Sequence, residues 1–414
     1  MDAQRSRTRL KSVMSADVLI ELEERWGARS HNPLDVVIHH GEGAWVQDVE
    51  GRRYLDCLAA YSSVNHGHRH PKILAAMLEQ VQHLTITSRA FRNDQLPAFC
   101  AELAAFCAAE AVLPMNSGTE AVETAIKAAR RWGYRVKEIP PGKAQLIVCQ
   151  DGFHGRTITM AGFSSDIEHL DGFGPFTPGF VAIPFGDATA LEKAITPHTC
   201  AFLVEPIQGD AGIRIPPDGY LATVRDVCIR HNVLFLADEI MTGLGRTGRR
   251  FACDHEAVKP DVLILGKSLS GGFYPVSAVV GTKEVLDLLE PGSHGSTYGG
   301  NPLGCAVSRA ALRVLEDERL SERAMDLGGW FLAELRTLDH PHIAEVRGRG
   351  LMLGLELTVP ARSYCEALQD RGLLCKECRD RVLRLTPPLV VTRDDLSWAM
   401  DQFRAVFGDG GDVA

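Results

Sequence analysis

The chain has 414 residues, enough for roughly two to three domains or for one large fold with an appended lobe, and it needs no disulfide or metal for stability. Its 53 acidic and 44 basic side chains leave a net charge of −9, which argues against nucleic acid as the main partner because phosphate binding needs a positive surface. No run of 18 apolar residues is present, so no membrane partner is expected.

The cysteines indicate a reducing compartment. All eleven are scattered between Cys57 and Cys378, without the spacing of a secreted disulfide framework. The N-terminal residues MDAQRSRTRLKSV are basic but lack the apolar core of a secretory signal. We therefore expect a cytoplasmic protein.

The N-terminal third is predicted to contain isolated helices and one hairpin. Residues 16–26 form an amphipathic pattern, and AWVQDVEGRRYLDCL predicts a hairpin with its turn at Glu50 and Gly51. Pro71 opens a helix at a position where its missing N–H costs nothing, and a further helix is expected over about 94–110.

From residue 111 onwards, short apolar strands alternate with helices. The strands are AVLPM, QLIVC, FVAIP, AFLVE, VLFLA and VLILG, and the helices are 119–133, 189–195 and 219–231. Apolar strands without polar alternation are typical of a sheet that is buried on both faces, and the alternation with helices predicts a mainly parallel sheet.

The C-terminal part has a different order. After about residue 305 we expect two helices, strands near 343–347 and 350–357, and then helix, strand, strand and helix. The predicted fold is therefore α/β. Residues 61–304 form a large domain with a mainly parallel seven-stranded-type sheet flanked by helices, and 305–414 form a small α+β domain to which segment 1–60 contributes.

Polar residues follow several of the predicted strands. Asp238 follows VLFLA, Glu205 ends AFLVE, Lys267 follows VLILG, and Asn-Ser-Gly-Thr-Glu (116–120) follows AVLPM. Because ligands of open α/β sheets bind beyond the carboxyl ends of the strands, these groups are expected to converge on one edge.

The segment after AVLPM has two interpretations. Ser117 and Glu120 predict a capping box, which by itself means only a stable helix start. Gly118 and Thr119 are also small enough for a phosphate to approach the N–H groups at the positive end of the helix.

Lys267 is the second candidate. Most lysines are solvated, but a lysine at a buried strand end has a lowered pKa and can form a Schiff base. Pyridoxal phosphate is suggested by the combination of such a lysine with a phosphate site and with Asp238, which would pair with a pyridine nitrogen. The protonated ring of this cofactor acts as an electron sink.

Other motifs are weaker. The segment Gly266-Lys-Ser268 resembles the end of a P-loop, but the glycine that a P-loop requires at position 261 is Asp here. Residues 243–248 match GxGxxG, but they do not directly follow the preceding strand, as a dinucleotide-binding loop would. Cys375 and Cys378 form a single CxxC motif, and without a second pair of cysteines a zinc site is not expected. A redox function of these two thiols is not favoured either. His66, His68 and His70 have no evident fourth ligand, so structural roles are favoured and no metal site is expected.

The motifs together resemble the class III (subgroup II) pyridoxal-phosphate aminotransferases of fold type I, most closely the ornithine aminotransferase branch. The resemblance covers about 31–407 and is carried by DVEGRRYLD, AAYSSVNHGHRHPKI, LTITSRAF, LPMNSGTEAVETAIKAARRWGY, GFHGRT, DGFGPFTPGF, VEPIQGDAGI, LFLADEIMTGLGRTGR, LGKSLSGGFYPVSAV, HGSTYGGNPLG and LRLTPPLV. It implies pyridoxal phosphate as the cofactor.

The resemblance also implies roles for individual residues around the cofactor. Lys267 is the lysine that bonds the cofactor and shuttles the proton, and Asp238 is the partner of the pyridine nitrogen. Thr297 reaches the phosphate of the neighbouring subunit, which implies a homodimer with its sites at the subunit interface. The remaining cofactor-binding residues are Ser117, Gly118, Thr119, Phe153, Ile240, Met241 and Ser296.

On the substrate side, the resemblance implies that Arg156 holds a distal carboxylate and Arg384 the α-carboxylate of 2-oxoglutarate, while Tyr61 lines the pocket. The chain departs from the family at three positions. Asp210 replaces a Glu that covers the second arginine, Met241 replaces a Gln that bonds the cofactor, and His31 replaces a Tyr. The list of substrate-binding residues is Tyr61, Arg156, Asp210, Arg384 and His31.

The expected activity is transfer of the δ-amino group of L-ornithine to 2-oxoglutarate, which gives glutamate 5-semialdehyde, its cyclic form pyrroline-5-carboxylate, and glutamate. The alternative is the same reaction on another ω-amino donor, such as acetylornithine, lysine, 4-aminobutyrate or a modified ornithine. A regulatory protein of this fold would need an added DNA-binding domain, for which residues 1–30 are too few.

Overall fold

The computed structural model describes residues 14–408, which form three β-sheets surrounded by helices. The central sheet has seven strands in the order β4-β10-β9-β8-β7-β5-β6, and two four-stranded sheets have the orders β1-β2-β3-β13 and β11-β12-β15-β14. The strands are β1 (Ile38–Glu42), β2 (Trp45–Asp48), β3 (Arg53–Asp56), β4 (Ala111–Met115), β5 (Gln145–Cys149), β6 (Phe180–Ile183), β7 (Thr199–Val204), β8 (Leu234–Asp238), β9 (Val262–Leu265), β10 (Ser277–Gly281), β11 (Ile343–Arg349), β12 (Met352–Leu357), β13 (Leu373–Leu374), β14 (Lys376–Cys378) and β15 (Val382–Leu385).

The central sheet is buried on both faces, as its apolar strands predict. Along β8, Leu234 and Leu236 belong to one apolar core, whereas Phe235 and Ala237 belong to the other. The helix Gly118–Arg135 packs on the first face, and the helix Tyr220–Arg230 packs on the second. The predicted α/β fold with a mainly parallel sheet is confirmed.

One strand of the central sheet was not predicted. β10 is antiparallel to both of its neighbours, β4 and β9, while the other pairs of the sheet are parallel. Its sequence SAVVG is as apolar as that of the parallel strands. Orientation depends on the path of the connecting chain, which apolarity does not reveal.

The predicted hairpin is confirmed, because β2 and β3 pair antiparallel around the turn at Gly51. The C-terminal strand β13 then pairs in parallel with β3, with Leu373 opposite Leu55. The two ends of the chain therefore share one sheet.

The predicted helices agree closely with the observed ones, apart from the one expected over 94–110. That helix ends at Phe106 because the chain turns at Ala108, whose φ is +49°. The short helices Ile158–Ala161 and Lys283–Leu286 were not predicted. No helix within 14–408 has both the length and the apolarity to cross a bilayer. The helices are Ala16–Trp26, Pro71–Val81, Gln95–Phe106, Gly118–Arg135, Ile158–Ala161, Ala188–Ala194, Tyr220–Arg230, Lys283–Leu286, Pro302–Asp317, Leu320–Leu335, Arg362–Gln369 and Arg393–Phe407.

Candidate active site

Lys267 and Asp238 lie at the carboxyl edge of the central sheet. Asp238 is the last residue of β8 and is 4% exposed, and Lys267 begins the turn that follows β9. Lys267 has a φ of +44°, a backbone conformation that costs a non-glycine residue about 1–3 kcal/mol. The surrounding structure therefore maintains Lys267 in a strained backbone conformation.

The environment favours the neutral form of the lysine. Burial is the largest influence and lowers the pKa of Lys267, while the negative charges of Asp238 and Glu205 oppose the shift. A lowered pKa increases the fraction of unprotonated amine, which is the nucleophilic form.

A histidine that the sequence reasoning did not single out binds Asp238. His154 Nδ1 lies 2.7 Å from Asp238 Oδ2, and both side chains are buried. Burial alone would lower the pKa of His154, but the hydrogen bond and charge of Asp238, helped by Glu205, raise it. His154 can therefore supply a positive charge beside the Asp238 carboxylate.

Glu205 lies beside this pair and connects two loops. Its carboxylate accepts hydrogen bonds from the backbone N–H of Phe153, at 2.8 Å, and of Gly209, at 3.1 Å. Burial raises the pKa of Glu205 to about 7, although His154 and the two N–H donors lower it. The sequence showed Glu205 at a strand end but gave no indication of these contacts.

The capping box predicted after β4 is confirmed. Glu120 N donates to Ser117 Oγ at 3.2 Å, and Ser117 N donates to Glu120 Oε2 at 3.1 Å. Ser296 is tied to the same turn, because Asn116 Nδ2 donates to its Oγ at 2.7 Å. The amides of Gly118 and Thr119, in the first turn of this helix, have no described acceptor and are available to an anion.

Two glycines bring neighbouring groups close to this turn. A Cβ at Gly118 would lie 3.0 Å from Ile240 Cδ1, and one at Gly155 would lie 2.1 Å from Thr119 Oγ1. Gly155 also has a φ of +118°, which only glycine adopts readily. The loop after β5 can therefore approach the helix start only with glycine at 155.

Arg384 and Asp210 form the ion pair that the resemblance implies. Arg384 Nη1 lies 3.4 Å from Asp210 Oδ1, a single long contact instead of a two-pronged one. The arginine side chain is 5% exposed, whereas the aspartate is 38% exposed. The carboxylate thus covers the arginine from the solvent side.

Tyr61 lies against the same arginine. The Arg384 guanidinium is 4.8 Å from the centre of the Tyr61 ring, a favourable cation–π distance. All four residues from Ala59 to Ser62 have positive φ and form one left-handed turn. Nothing in the side-chain pattern AAYS predicts this turn.

Two of the departures from the family are neighbours. Met241 is buried in an apolar cluster with Ile207, Ile213 and Met352. A Cβ at Gly209 would lie 2.3 Å from Met241 Sδ, so the thioether packs directly beneath the residue that precedes Asp210. Met241 therefore packs against the chain directly before Asp210.

The remaining candidates are less tightly held. Phe153 is half-buried, and the exposed Arg156 lies over its ring at 5.9 Å. Thr297 is exposed. His31 is exposed and bonds the hydroxyl of Ser30, and within 14–408 no described contact joins it to the other candidates. Its assignment to the site stays a prediction.

The GxGxxG-like segment has a structural role. Arg246, fully buried, donates to the carbonyl oxygens of Leu351 and Pro387, at 2.8 and 2.6 Å, and to the side chain of Asn65. Asn65 in turn donates to Ser268, the neighbour of Lys267, at 3.1 Å. This network links the lysine turn to the chain just beyond Arg384.

The three alternating histidines have separate partners. His66 bonds the carbonyl of Ala311, His68 bonds Asp56, and His70 bonds Glu318. Among the described residues no group of three ligating side chains could hold a metal.

A family model described as aminotransferase class-III matches residues 26–407. The chain belongs to the class-III aminotransferase family. The recognition made from the sequence motifs is therefore confirmed.

Relatives within the family are similar along almost the whole chain. The chain is 55% identical over 394 residues to the ornithine aminotransferase of Brevibacillus brevis, which covers 95% of this chain and 99% of that protein. It is also 55% identical over 388 residues to the ornithine aminotransferase of Bacillus cereus (strain Q1), covering 94% and 98%.

Solved structures of two aminotransferases superpose closely on this one. The ornithine aminotransferase of Toxoplasma gondii, whose active site holds pyridoxal phosphate at partial occupancy, has a TM-score of 0.95 at 44% identity, covering 98% of this chain and 97% of that one. The acetylornithine aminotransferase of Elizabethkingia anophelis has a TM-score of 0.87 at 45% identity, covering 95% and 99%.

Proposed function

We propose that the chain transfers the δ-amino group of L-ornithine to 2-oxoglutarate with pyridoxal phosphate as its cofactor. The products are glutamate 5-semialdehyde, which cyclises to pyrroline-5-carboxylate, and glutamate. The observation that carries the proposal is the placement of Lys267 within the electrostatic influence of both Asp238 and the Arg384–Asp210 pair. The same pocket therefore combines a reactive lysine amine with an arginine that is shielded until a substrate carboxylate binds it.

The residues present fit pyridoxal phosphate. The capped helix start offers backbone N–H groups to a phosphate, Lys267 offers an amine to an aldehyde, and Asp238 offers a buried carboxylate to a ring nitrogen. Phe153 and Ile240 supply apolar surfaces for the ring. When bound, the ring supplies an electron sink for the exchange of an amino group with a carbonyl oxygen.

The chain's own groups hold and move the protons. Lys267, with its lowered pKa, can accept a proton from a substrate carbon and return it elsewhere. Asp238 presents a buried carboxylate to the site, and His154, whose pKa is raised by this contact, is hydrogen-bonded to that carboxylate. Glu205 holds the backbone of Phe153 in place.

Two substrates of different charge must use the same site. Ornithine has one carboxylate, which Arg156 can hold so that the distal amine points to Lys267. 2-Oxoglutarate has two carboxylates, and the second needs Arg384. The pairing of Asp210 with Arg384 hides the second positive charge until a dicarboxylate displaces the aspartate.

The second candidate is an N-acylated ornithine donor. The similarity to the Elizabethkingia acetylornithine aminotransferase is as high in identity as that to the Toxoplasma protein. Asp210, which contacts Arg384, and Met241, which packs against Gly209, also depart from the pattern of the ornithine aminotransferases.

The proposed active form is a homodimer in the cytoplasm. The exposed position of Thr297, next to Ser296 at the phosphate turn, supports a contact with a second subunit. The eleven cysteines are all unpaired, which is typical of a reducing compartment.

A panel of donors tests the proposal. With 2-oxoglutarate as acceptor, kcat/KM is measured for L-ornithine, N-acetylornithine, lysine and 4-aminobutyrate. We expect ornithine to exceed each of the others by about tenfold or more, which is about 1.4 kcal/mol of transition-state binding. Lys267→Ala should abolish turnover of every donor, whereas Lys259→Ala, at an exposed lysine, should not. A higher kcat/KM for another donor, or turnover by Lys267→Ala, would overturn the proposal.

A further inference from the structure

The carboxylate that covers Arg384 is carried by a short turn with its own anchors. Residues 208–214, here called the Asp210 turn, are closed by two backbone hydrogen bonds between Gln208 and Arg214, at 3.1 and 3.0 Å. Gln208 also donates to the carbonyl of Gln150 at 2.7 Å, and Gly209 donates to Glu205. The first half of the turn is therefore fixed to the central sheet.

The second half of the Asp210 turn lies on the C-terminal sheet. There, Arg347 on β11 is opposite Gly354 on β12, and Gly354 is opposite Arg384 on β15. Directly opposed residues of antiparallel strands have their side chains on the same face. These three residues, here called the arginine row, therefore face the turn together.

The two arginines of the arginine row hold different parts of the turn. Arg347 Nε and Nη2 both donate to the carbonyl of Gly212, at 3.0 and 2.6 Å, and Nε also reaches Ile213 O at 3.1 Å. Arg347 is itself paired with Glu345 and Glu356, so its charge is already neutralised. Arg384 contacts the side chain of Asp210 instead.

Gly354 leaves the space into which the turn fits. A Cβ at Gly354 would lie 3.2 Å from Gly212 O and 3.2 Å from Ile213 Cβ, tighter than ordinary contacts. The Asp210 turn therefore lies in a notch in the sheet, between one arginine that binds its backbone and another that binds its carboxylate.

We propose that Arg347 and Gly354 are positioning residues that set the distance between Asp210 and Arg384, and thereby decide how readily Arg384 accepts a substrate carboxylate. The proposal rests on the proposed function and deepens it. Because Asp210 reaches Arg384 with one contact at 3.4 Å, a small displacement of the turn is enough to separate the pair. An uncovered Arg384 binds dicarboxylates more tightly and lets ornithine present its α-amine.

The test compares Gly354→Ala and Arg347→Lys with the control Arg336→Lys in the holoenzyme. Lysine keeps the charge of Arg347 but cannot make its planar, branched contacts. Arg336 donates to the backbone carbonyl of Val346 in the same sheet and has no described contact with the Asp210 turn. The readouts are the Kd of glutarate, a dicarboxylate of the same length as 2-oxoglutarate, and the ratio of δ- to α-transfer from ornithine.

We expect glutarate to bind about threefold or more tightly to both variants, and the δ-to-α ratio to fall, while the control changes neither. Asp210→Glu added to Gly354→Ala should restore both values, because the longer side chain spans the added distance. Unchanged glutarate binding in both variants, or failure of that rescue, would overturn the proposal. If the wild-type enzyme binds glutarate but takes no amine from ornithine, the proposed function is refuted. The comparison of glutarate Kd values between the variants and the wild type would still test the positioning role of Arg347 and Gly354.

Discussion

At the residue scale, the site contains ionisable groups whose surroundings shift their pKa values. Lys267 has a strained backbone and a lowered pKa, and Glu205 is buried with a pKa of about 7. His154 and Asp238 are hydrogen-bonded to each other, and both influence the buried Glu205 electrostatically. Perturbed groups of this kind cluster at functional sites.

Glu205 makes the stability of the protein depend on pH. Its folded pKa of about 7 lies above the usual 4.5, so between these values the folded state keeps a proton that the unfolded state releases. The stability that this proton contributes is complete below about pH 4.5 and is lost as the pH rises through 7. Glu205→Gln lacks this contribution at every pH. The loss in free energy of unfolding relative to the wild-type protein should therefore be smaller at pH 8 than at pH 5.5.

Chemical denaturation at both pH values measures this difference. Glu256→Gln is the matched control, because Glu256 also accepts from two backbone N–H groups, those of Gly219 and Ala222. Its destabilisation should be the same at both pH values. A Glu205→Gln penalty that is constant or increases with pH would contradict the burial of an acid that titrates near 7.

Residue types and strand ends were sufficient to predict part of this group. Lys267, Asp238 and Ser117 follow apolar strands, and the ends of parallel strands must lie at one edge. His154 and Glu205 were not assigned roles, because their partners come from loops whose paths depend on packing.

At the scale of elements, segments at the ends of four neighbouring strands, β5, β7, β8 and β9, form much of the site. The loop after β5 carries Phe153, His154 and Gly155, the turn after β7 carries Asp210, and β8 ends at Asp238. The loop after β5 reaches the capped helix start only because Gly155 lacks a side chain. This close approach gives a test of the phosphate-binding turn.

Gly155→Ala should weaken the binding of pyridoxal phosphate to the apoprotein by about tenfold or more. A methyl group 2.1 Å from Thr119 Oγ1 must displace that side chain or the loop, and either change disturbs the helix start. Titration of cofactor into apoprotein, followed by absorbance, measures the Kd.

Gly142→Ala separates this contact from backbone strain. Gly142 also has a positive φ, of +75°, but nothing lies within 4 Å of the position of its Cβ. The control should lose some stability and keep its affinity for the cofactor. An equal loss of affinity in both variants would mean that strain, and not the contact with Thr119, is responsible.

At the scale of the whole molecule, the two ends of the substrate site come from separate sheets. Lys267 follows the central sheet, whereas Arg384 lies on β15 of the C-terminal sheet. Arg246 and Asn65 connect the two regions through buried hydrogen bonds.

Fold class and most strands could be predicted from apolar patterns, but strand register could not. The arginine row depends on that register, because Arg347 and Arg384 are 37 positions apart in sequence yet share one row.

The homodimer predicts complementation between two defective subunits. If Thr297 completes the site of the neighbouring subunit, a mixed dimer of Lys267→Ala and Thr297→Ala contains one site with both native residues and one with neither. After the variants are mixed, co-unfolded and refolded in equal amounts, about one quarter of all sites should be native.

Activity per site, compared with each variant refolded alone, measures the complementation. The mixture should exceed the average of the two parents. Activity equal to that average would show that Thr297 serves its own subunit, or that the active protein is not a dimer with shared sites.

The central claim concerns which nitrogen of ornithine leaves. Ornithine labelled with ¹⁵N at the δ position is incubated with the enzyme and unlabelled 2-oxoglutarate, and the glutamate formed is analysed by mass spectrometry. The account predicts that nearly all of the glutamate carries the label, because Arg156 holds the ornithine carboxylate while Asp210 covers Arg384. Glutamate that is mainly unlabelled would show transfer of the α-amine and would contradict the account.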